Sequence, residues 1–452
     1  MSAKEVKDIE SLAKRRGFIF TGSEIYGGLA GIYDFGPLGT ELLRNIRNAW
    51  WNAMVYQRDD VEGLDAAQIS HRAMWKYSGH EAGFTDPLVV CKKCGARMRQ
   101  DKMADPAKCD KCASADLLPA REYQLMMGLS LGATADGEIN AYLRPETATT
   151  TYTNFRNVLD SVPHKLPFGI CQIGKAFRNE ISPRGYIFRM REFEQAEMQY
   201  FVNPADDAKY FDMWKKLRMD WWVDTLGIPA EKLRFTPHDK LAHYAKAAFD
   251  IEYEFPDGFD EVEGIHNRQD FDLGSHTKSQ KEFKIAAAHL DNKDSIAKLN
   301  YADAQSGENF IPFVIETAMG VQRCMLAVLL NAYTDEDLGD GNSRIVLKLK
   351  PALAPIKAAV IPLARNVPEL VALAESVEAG LRKLNIGRIA MENSGNIGKN
   401  YRRHDEIGTP ICITIDHQSL EDKTATVRYR DTMQQERVAI ADLPGKLLQI
   451  LI

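Results

Sequence analysis

The segment from Phe177 to Glu197, FRNEISPRGYIFRMREFEQAE, allows few ways of folding. It sets Arg178, Arg184, Arg189 and Arg191 beside Glu180, Glu192, Glu194 and Glu197, with bulky apolar residues between them. The turn residues in ISPRG predict a hairpin. Alternate residues of a strand share a face, so Arg189, Phe193 and Glu197 lie together, with Arg191 among them. On the incoming strand Arg178 and Glu180 share a face. If the two faces coincide, they make a floor of guanidiniums, a flat ring and carboxylates. Guanidinium forks bind phosphate bidentately, a phenyl face stacks on a purine, and a carboxylate holds an ammonium or an exocyclic amine. Two readings stay open at this point. One is a nucleotide-plus-amine site built on sheet. The other is a solvated hairpin whose cross-strand ion pairs contribute about 0.2–1 kcal/mol each.

A second charged position favours the site. Arg323 stands between VIETAMGV and CMLAVLL, where its neighbours are apolar. A buried guanidinium is costly unless an anion pairs with it. Gly320 would let the backbone approach whatever Arg323 contacts. Glu316 is a further charge in the same setting, and a Glu316–Arg323 salt bridge is the plainer alternative.

Four of the seven cysteines form CKKC (91–94) and CDKC (109–112), fourteen residues apart. Two hooks at this spacing suit one tetrahedral zinc held by Cys91, Cys94, Cys109 and Cys112. Four thiolates leave no open coordination position, so the expected role is structural. Two disulfides are the alternative, which a reducing compartment disfavours. Cys171, Cys324 and Cys412 sit in apolar surroundings and read as core residues.

At 452 residues the chain has room for two or three domains. Its net charge of −6, from 63 acidic and 57 basic residues, gives no general basic surplus. Any RNA contact must come from local patches. No apolar run approaches the roughly 20 residues that span a bilayer. The charged start lacks a secretory apolar core, so the expected location is the cytoplasm. GPLG (36–39) precedes an amphipathic helix from Thr40 to about Tyr56. Helices are also expected at Trp214–Leu226 and His243–Phe249, and strands at DEVEGI (260–265) and IPFVIE (311–316). Proline and lysine in LKLKPALAPIK (347–357) mark a linker. About one hundred residues of alternating strand and helix follow it. There Lys399, Arg402, Arg403, Arg428 and Arg430 either meet RNA phosphates or form a solvated face.

GPLG with its helix, FRNE…FRMREF and GVQR resemble the three signature motifs of class II aminoacyl-tRNA synthetases. SEIYGGLAGIYDFGPLG, YLRPETA, LPFGICQIGKAFRNEISPR, REFEQAE, LAHYAK, RQDFDLGSH and IGKNYRRHDEIGTPICITID are similar to the dimeric glycyl-tRNA synthetases in particular. The resemblance runs over nearly the whole chain.

It implies an α+β fold. Residues 1–350 would form an antiparallel-sheet catalytic domain with an inserted zinc-ribbon-like segment at 88–118, and residues 351–452 an α/β anticodon-binding domain. A homodimer would form through the first motif, with tRNA(Gly), glycine and ATP with Mg2+ as partners. The resemblance gives Arg178 the ATP α-phosphate, Glu180 the adenine amino group, Arg189 the terminal phosphate and Phe193 the adenine face. Arg323 would cover the other side of the adenine, and Asn179, Phe188, Glu261, Val262 and Gly320 would complete the ATP site. Arg178 and Arg323 would be the catalytic pair. For glycine the matching positions are Arg99, Glu146, Glu194, Gln195, Glu197, Arg268, Glu316 and Ala318. The zinc ribbon would hold the segment that carries Arg99. No side-chain nucleophile is implied, and no editing domain is expected for the smallest amino acid. Three positions depart from the family: Ala318 where a serine is usual, and Thr149 and Thr150 where glutamine and glycine follow RPETA. They motivate one alternative, a class II enzyme for another small amino acid. A non-catalytic relative that keeps the fold as a binding subunit is the other.

Overall fold

A computed structural model describes residues 5–132, 139–241, 245–304, 306–339 and 341–451. Seven strands build the sheet that carries the charged segment. They are β1 (Val61–Gly63), β2 (Phe168–Phe177), β3 (Glu192–Val202), β4 (Leu233–Pro237), β5 (Ala247–Phe255), β6 (Gly258–Gln269) and β7 (Phe313–Gly320). Their order is β4-β5-β6-β7-β3-β2-β1, antiparallel throughout except that β1 runs parallel to β2. The charged segment is the β2–β3 hairpin, with Phe177 opposite Glu192 and Gln172 opposite Glu197.

Strand periodicity then sorts β3. Ala196, Met198, Tyr200 and Val202 enter the main apolar core, while Phe193, Gln195, Glu197 and Gln199 point to the other side. Helices α1 (Pro37–Trp51), α3 (Asp207–Asp220) and α4 (Val321–Ala332) cover the core face, and the helix Val6–Arg16 adds Ile9, Leu12 and Ala13 to the same cluster. On the opposite face α2 (Ala148–Ser161) lies over the far ends of β2 and β3. Its Ala148, Tyr152 and Phe155 pack with Phe168, Ile170 and Phe201.

Two expected helices differ in detail. α1 begins at Pro37 rather than Thr40, because proline fits the first helical turn, whose N–H groups have no partner to lose. The expected helix at His243–Phe249 fails over Ala247–Phe249, which open β5. The alternation in AAFDIEYEF packs as strand. Residues 242–244, which include part of the LAHYAK motif, lie outside the described residues.

The cysteine hooks hang from a separate three-stranded sheet, Arg97–Arg99 beside Thr85–Val90 beside Arg121–Gln124. At the C-terminal end, β8 (Ile356–Pro362), β9 (Arg388–Met391), β10 (Ile411–Ile415), β11 (Thr424–Tyr429) and β12 (Gln435–Ala439) form a sheet of order β9-β8-β10-β11-β12 around its own apolar cluster. Arg428 and Arg430 do not join a basic surface. Arg428 is buried on Asp405, and Arg430 donates to the carbonyls of Gly408 and Leu349. Lys399, Arg402 and Arg403 stay exposed and line a groove with Arg16.

Candidate active site

The outer face of β2, β3, β6 and β7 is the floor of a cavity of about 200 Å³. Arg178, Glu180, Phe188, Arg189, Phe193, Glu261, Gly320 and Arg323 line one end, and Glu146, Glu197, Arg268, Glu316 and Ala318 the other, with Gln195 between. Phe193 and Glu197 are four residues apart on one strand, which separates the two ends by roughly 13 Å.

At the first end the Arg178 guanidinium lies 5.2 Å from the Phe193 ring centroid and donates through Nε to the Pro145 carbonyl at 3.0 Å. Arg189 Nη1 is 3.5 Å from Glu180 Oε2, and its buried Nε has no hydrogen-bond partner among the described residues. Arg323 donates to the carbonyls of Phe188 and Glu261 and lies 4.4 Å over the Phe188 ring. Its ion partner is Glu261, at 3.2 Å, not Glu316. Burial opposes the charged form of Glu261, but Arg323 outweighs it and holds this carboxyl below the ordinary glutamate value. Three guanidiniums facing two carboxylates leave a positive surplus here.

A bulge produces this arrangement. Between β5 and β6 the register slips, so that Ile251 faces Glu263 while Glu252 faces Glu261. Simple alternation would put Glu261 with Glu263 on the core face and Val262 on the cavity face. The slip exchanges them: Glu261 enters the cavity, and Val262 is buried in the core.

At the second end Arg268 donates through Nε and Nη2 to Asp272 at 2.7 and 2.9 Å, and through Nη1 to Glu316 at 2.9 Å. Glu316 also accepts from Gln199 and lies 3.2 Å from His266 Nδ1. Glu146 accepts from Thr149 Oγ1 at 2.7 Å and sits 3.2 Å from His80 Nε2. Burial alone would raise all of these carboxyls. Arg268 and His266 nevertheless hold Glu316 down to about 2, and His80, Arg268 and Thr149 hold Glu146 well below the usual range. Glu197 goes the other way, to about 8. Burial pushes it up first, then the charges of Glu316 and Glu146. Glu197 accepts hydrogen bonds from Thr147 and Gln195. Asp272, Glu316 and Glu146 thus share one guanidinium, and this end carries a negative surplus.

Several expected positions lie elsewhere. Glu194 is out of phase with Phe193 and Gln195, so it projects through the sheet to Arg47 of α1, at 2.5 Å. Asn179 bonds the Tyr123 hydroxyl at 2.6 Å instead of lining the cavity. Arg99 is held by Asp86 and Asp101, and its charge reaches Glu180 rather than the second end. Arg191 turns back to the carbonyls of Glu180 and Ala30. At Gly320 an added Cβ would meet Arg323 at an ordinary 3.5 Å, so close approach does not demand glycine there.

Other residues in the site had no assigned role. Arg144 is fully buried and bonds Lys175 O, Ala66 O and Gln172 Oε1, tying the loop before Glu146 to β2. It runs where a Cβ on Gly174 would stand, 2.0 Å from its Nη2. His266 is two residues before Arg268 and could have been found by the strand period. His80 has no local signal, because it opens a short helix, His80–Gly83, far off in sequence.

The four hook cysteines fit zinc. Cys91–Cys112 and Cys94–Cys109 Sγ atoms are 3.6 Å apart, and all four lie within 4.8 Å of one another. Zn–S bonds of about 2.3 Å set tetrahedrally give sulfur separations of nearly 3.8 Å.

The chain matches two family models: the class II core domain of the G, H, P, S and T tRNA synthetases at residues 133–332, and an anticodon binding domain at 357–450. With the antiparallel sheet and its arginine-lined cavity, these define a class II aminoacyl-tRNA synthetase. Among curated proteins, the glycine–tRNA ligase of Deinococcus radiodurans is 48% identical over 98% of this chain and 99% of its own length. That of Thermus thermophilus is 46% identical over the full length of both, and that of Borrelia garinii subsp. bavariensis 48% over 97% and 96%. The chain belongs to the glycine–tRNA ligase family.

Proposed function

We propose that this chain activates glycine with ATP and transfers it to the 3′ end of tRNA(Gly). The observation that carries the reading is the charge division of one cavity, positive where a triphosphate would lie and negative where an ammonium would lie. The glycine carboxylate attacks the α-phosphorus in line. A P–O bond forms as the bond to the β-phosphate breaks, and pyrophosphate leaves with the electron pair. Arg178 and Arg323 neutralise charge at the reacting phosphate, and Arg189 takes the far phosphates. Phe193 stacks on the adenine. Mg2+ bound with ATP would add neutralising charge, with Glu261 the carboxylate to hold it, while Glu180 accepts from the adenine amino group. A hydroxyl at the tRNA terminus then attacks the carbonyl carbon and releases AMP. Because positioning and charge suffice, no side-chain nucleophile takes part.

Glu316, Glu146 and ionised Glu197 receive the ammonium, and Ala318 presents a methyl group where a hydroxyl is usual. Steric exclusion alone can select the smallest amino acid, so the missing hydroxyl is tolerable. The cysteine cluster would hold zinc as a structural clamp on the ribbon. Ser182 of the β2–β3 loop donates to the Arg97 carbonyl of that ribbon, which supports a role in bracing the wall near Glu180.

The wider assignments belong to the same reading: a catalytic part at 1–350, an anticodon-reading part at 351–452, a homodimer, and a cytoplasmic setting. Exposed Ile25, Tyr26 and Leu29, just before α1, supply an apolar patch suited to a dimer interface. Lys399, Arg402 and Arg403 are the basic residues available to tRNA. No helix among the described residues is long and apolar enough to cross a membrane.

The test is amino-acid-dependent exchange of pyrophosphate into ATP with glycine, alanine and serine side by side. Exchange with glycine alone is expected. Exchange with alanine or serine instead would overturn the substrate, and none with any amino acid would overturn the enzyme.

A further inference from the structure

At the edge of the cavity, β4, β5 and β6 bring together His238, Asp250 and His266, of which the synthetase reading uses only His266, as a neighbour of Glu316. His238 follows β4 and bonds through its backbone N–H to Ala248 on β5. Ala248 pairs with His266 on β6, and Asp250 pairs with Gly264. His238 and His266 therefore flank Ala248, while Asp250 and Gly264 occupy the next row. The two central positions are nearly empty of side chain. At Gly264 a Cβ would stand 2.6 Å from His266 Cε1, so the imidazole lies over this glycine only because nothing is there.

We propose that His238, Asp250 and His266 bind one borderline divalent metal ion of the Zn2+, Co2+ or Ni2+ type, apart from the cysteine cluster. One donor atom from each of the three falls within 4.8 Å of the others. His238 Nε2 is shut off from solvent and 2.9 Å from Asp250 Oδ1, yet it is not aligned for a hydrogen bond. Adjacent ligands on metal bonds of about 2.0–2.1 Å stand about 2.9 Å apart at right angles and about 3.3 Å apart in a tetrahedron, so this pair lies at the short end of that range. The two imidazole planes cross at 81° with centroids 5.7 Å apart, so they approach a common point from different directions. His266 Nδ1 lies 3.2 Å from Glu316 Oε2 and is likewise buried without an aligned hydrogen bond. A proton placed there would face a carboxylate and leave the second ring nitrogen for the metal. Two imidazoles and one carboxylate favour Zn2+ over Mg2+, and they leave at least one coordination position open.

The site stands whether or not the chain activates glycine, so its test is metal binding by the full-length protein. Zinc bound per chain is measured by equilibrium dialysis and elemental analysis, with millimolar Mg2+ throughout. Two zinc ions per chain are expected for the parent, and one each for H238N and D250N. E316Q keeps all three ligands but removes the support behind His266, so it should weaken the second zinc about 10–100-fold. Circular dichroism confirms that each variant is folded. If the parent binds one zinc, or if the second persists in both H238N and D250N, the site does not exist.

Discussion

Each face of the seven-stranded sheet buries an arginine–glutamate pair, and the two pairs differ in what surrounds them. On the core face Arg218 of α3 meets Glu263 with Nε–Oε1 at 2.5 Å and Nη2–Oε2 at 3.1 Å. Trp222 adds a hydrogen bond of 2.6 Å to the same carboxylate, and the guanidinium lies 4.4 Å over Trp221. One cation, one anion and apolar walls make a closed account. On the cavity face Arg268 divides itself between Asp272 and Glu316, with Glu146 and Glu197 close by and open space beside them. Burial and pairing are common to both. Only the second has an unbalanced charge next to a volume that a ligand can fill, and that imbalance is what marks a site.

The same isosteric change on each face would test this comparison most severely. E263Q leaves Arg218 without a counter-charge in the core, so denaturant unfolding should show a loss of about 3–5 kcal/mol. E316Q leaves Arg268 its Asp272, so its loss of stability should be under half as large. Its effect should appear instead in glycine activation, where kcat/KM falls about 10²–10³-fold with little change in KM for ATP. Equal stability losses, or an E316Q enzyme of normal activity, would dissolve the distinction.

How much of this could be read from the chain depends on how far simple alternation holds. On β3 it holds, so Phe193 and Glu197 share the cavity face as their spacing suggests. Arg178, Glu180 and Arg189 reach the cavity from the segment between β2 and β3, where alternation lapses and Arg191 turns away. Alternation also says that Glu194 must leave that face, and likeness to a family could not override the pleat. The β5–β6 bulge, just before Gly264, breaks the period, which is why Val262 and Glu261 exchange places. Arg428 and Arg430 look like surface charge in sequence because their partners are distant along the chain, Asp405 in the helix Ile397–Glu406 and the carbonyls of Gly408 and Leu349. His80 reaches Glu146 across 66 positions by the same kind of tertiary contact.

Within the amino-acid end, Glu197 separates itself from its two neighbours by its proton. With its carboxyl raised to about 8, it is neutral below that pH in the free protein, whereas Glu316 and Glu146 stay charged. An ammonium favours the ionised form, so binding must expel this proton at lower pH. kcat/KM for glycine should therefore rise about tenfold per unit as pH climbs toward 8, and level off above it. The profile of E197Q, which has no proton to lose, should be flat over the same range. A flat profile in the parent would mean that Glu197 is already charged and that the three carboxylates act alike.

The smallest expected effect concerns the departure at Thr149. Its hydroxyl donates to Glu146 Oε1 at 2.7 Å, while His80 faces the other oxygen at 3.2 Å. The threonine therefore orients a carboxylate of the amino-acid end from the first turn of α2, where the family usually has glutamine. T149V keeps the shape and removes the donor, which is worth about 1 kcal/mol for a single hydrogen bond. KM for glycine should rise about fivefold, with KM for ATP and the unfolding midpoint nearly unchanged, because Glu146 belongs to one end of the cavity only. T149S, which restores a hydroxyl at the same place, should return KM to the parent value. If T149V binds glycine as the parent does, His80 alone positions Glu146, and the hydroxyl is a helix-start feature with no part in the charge division.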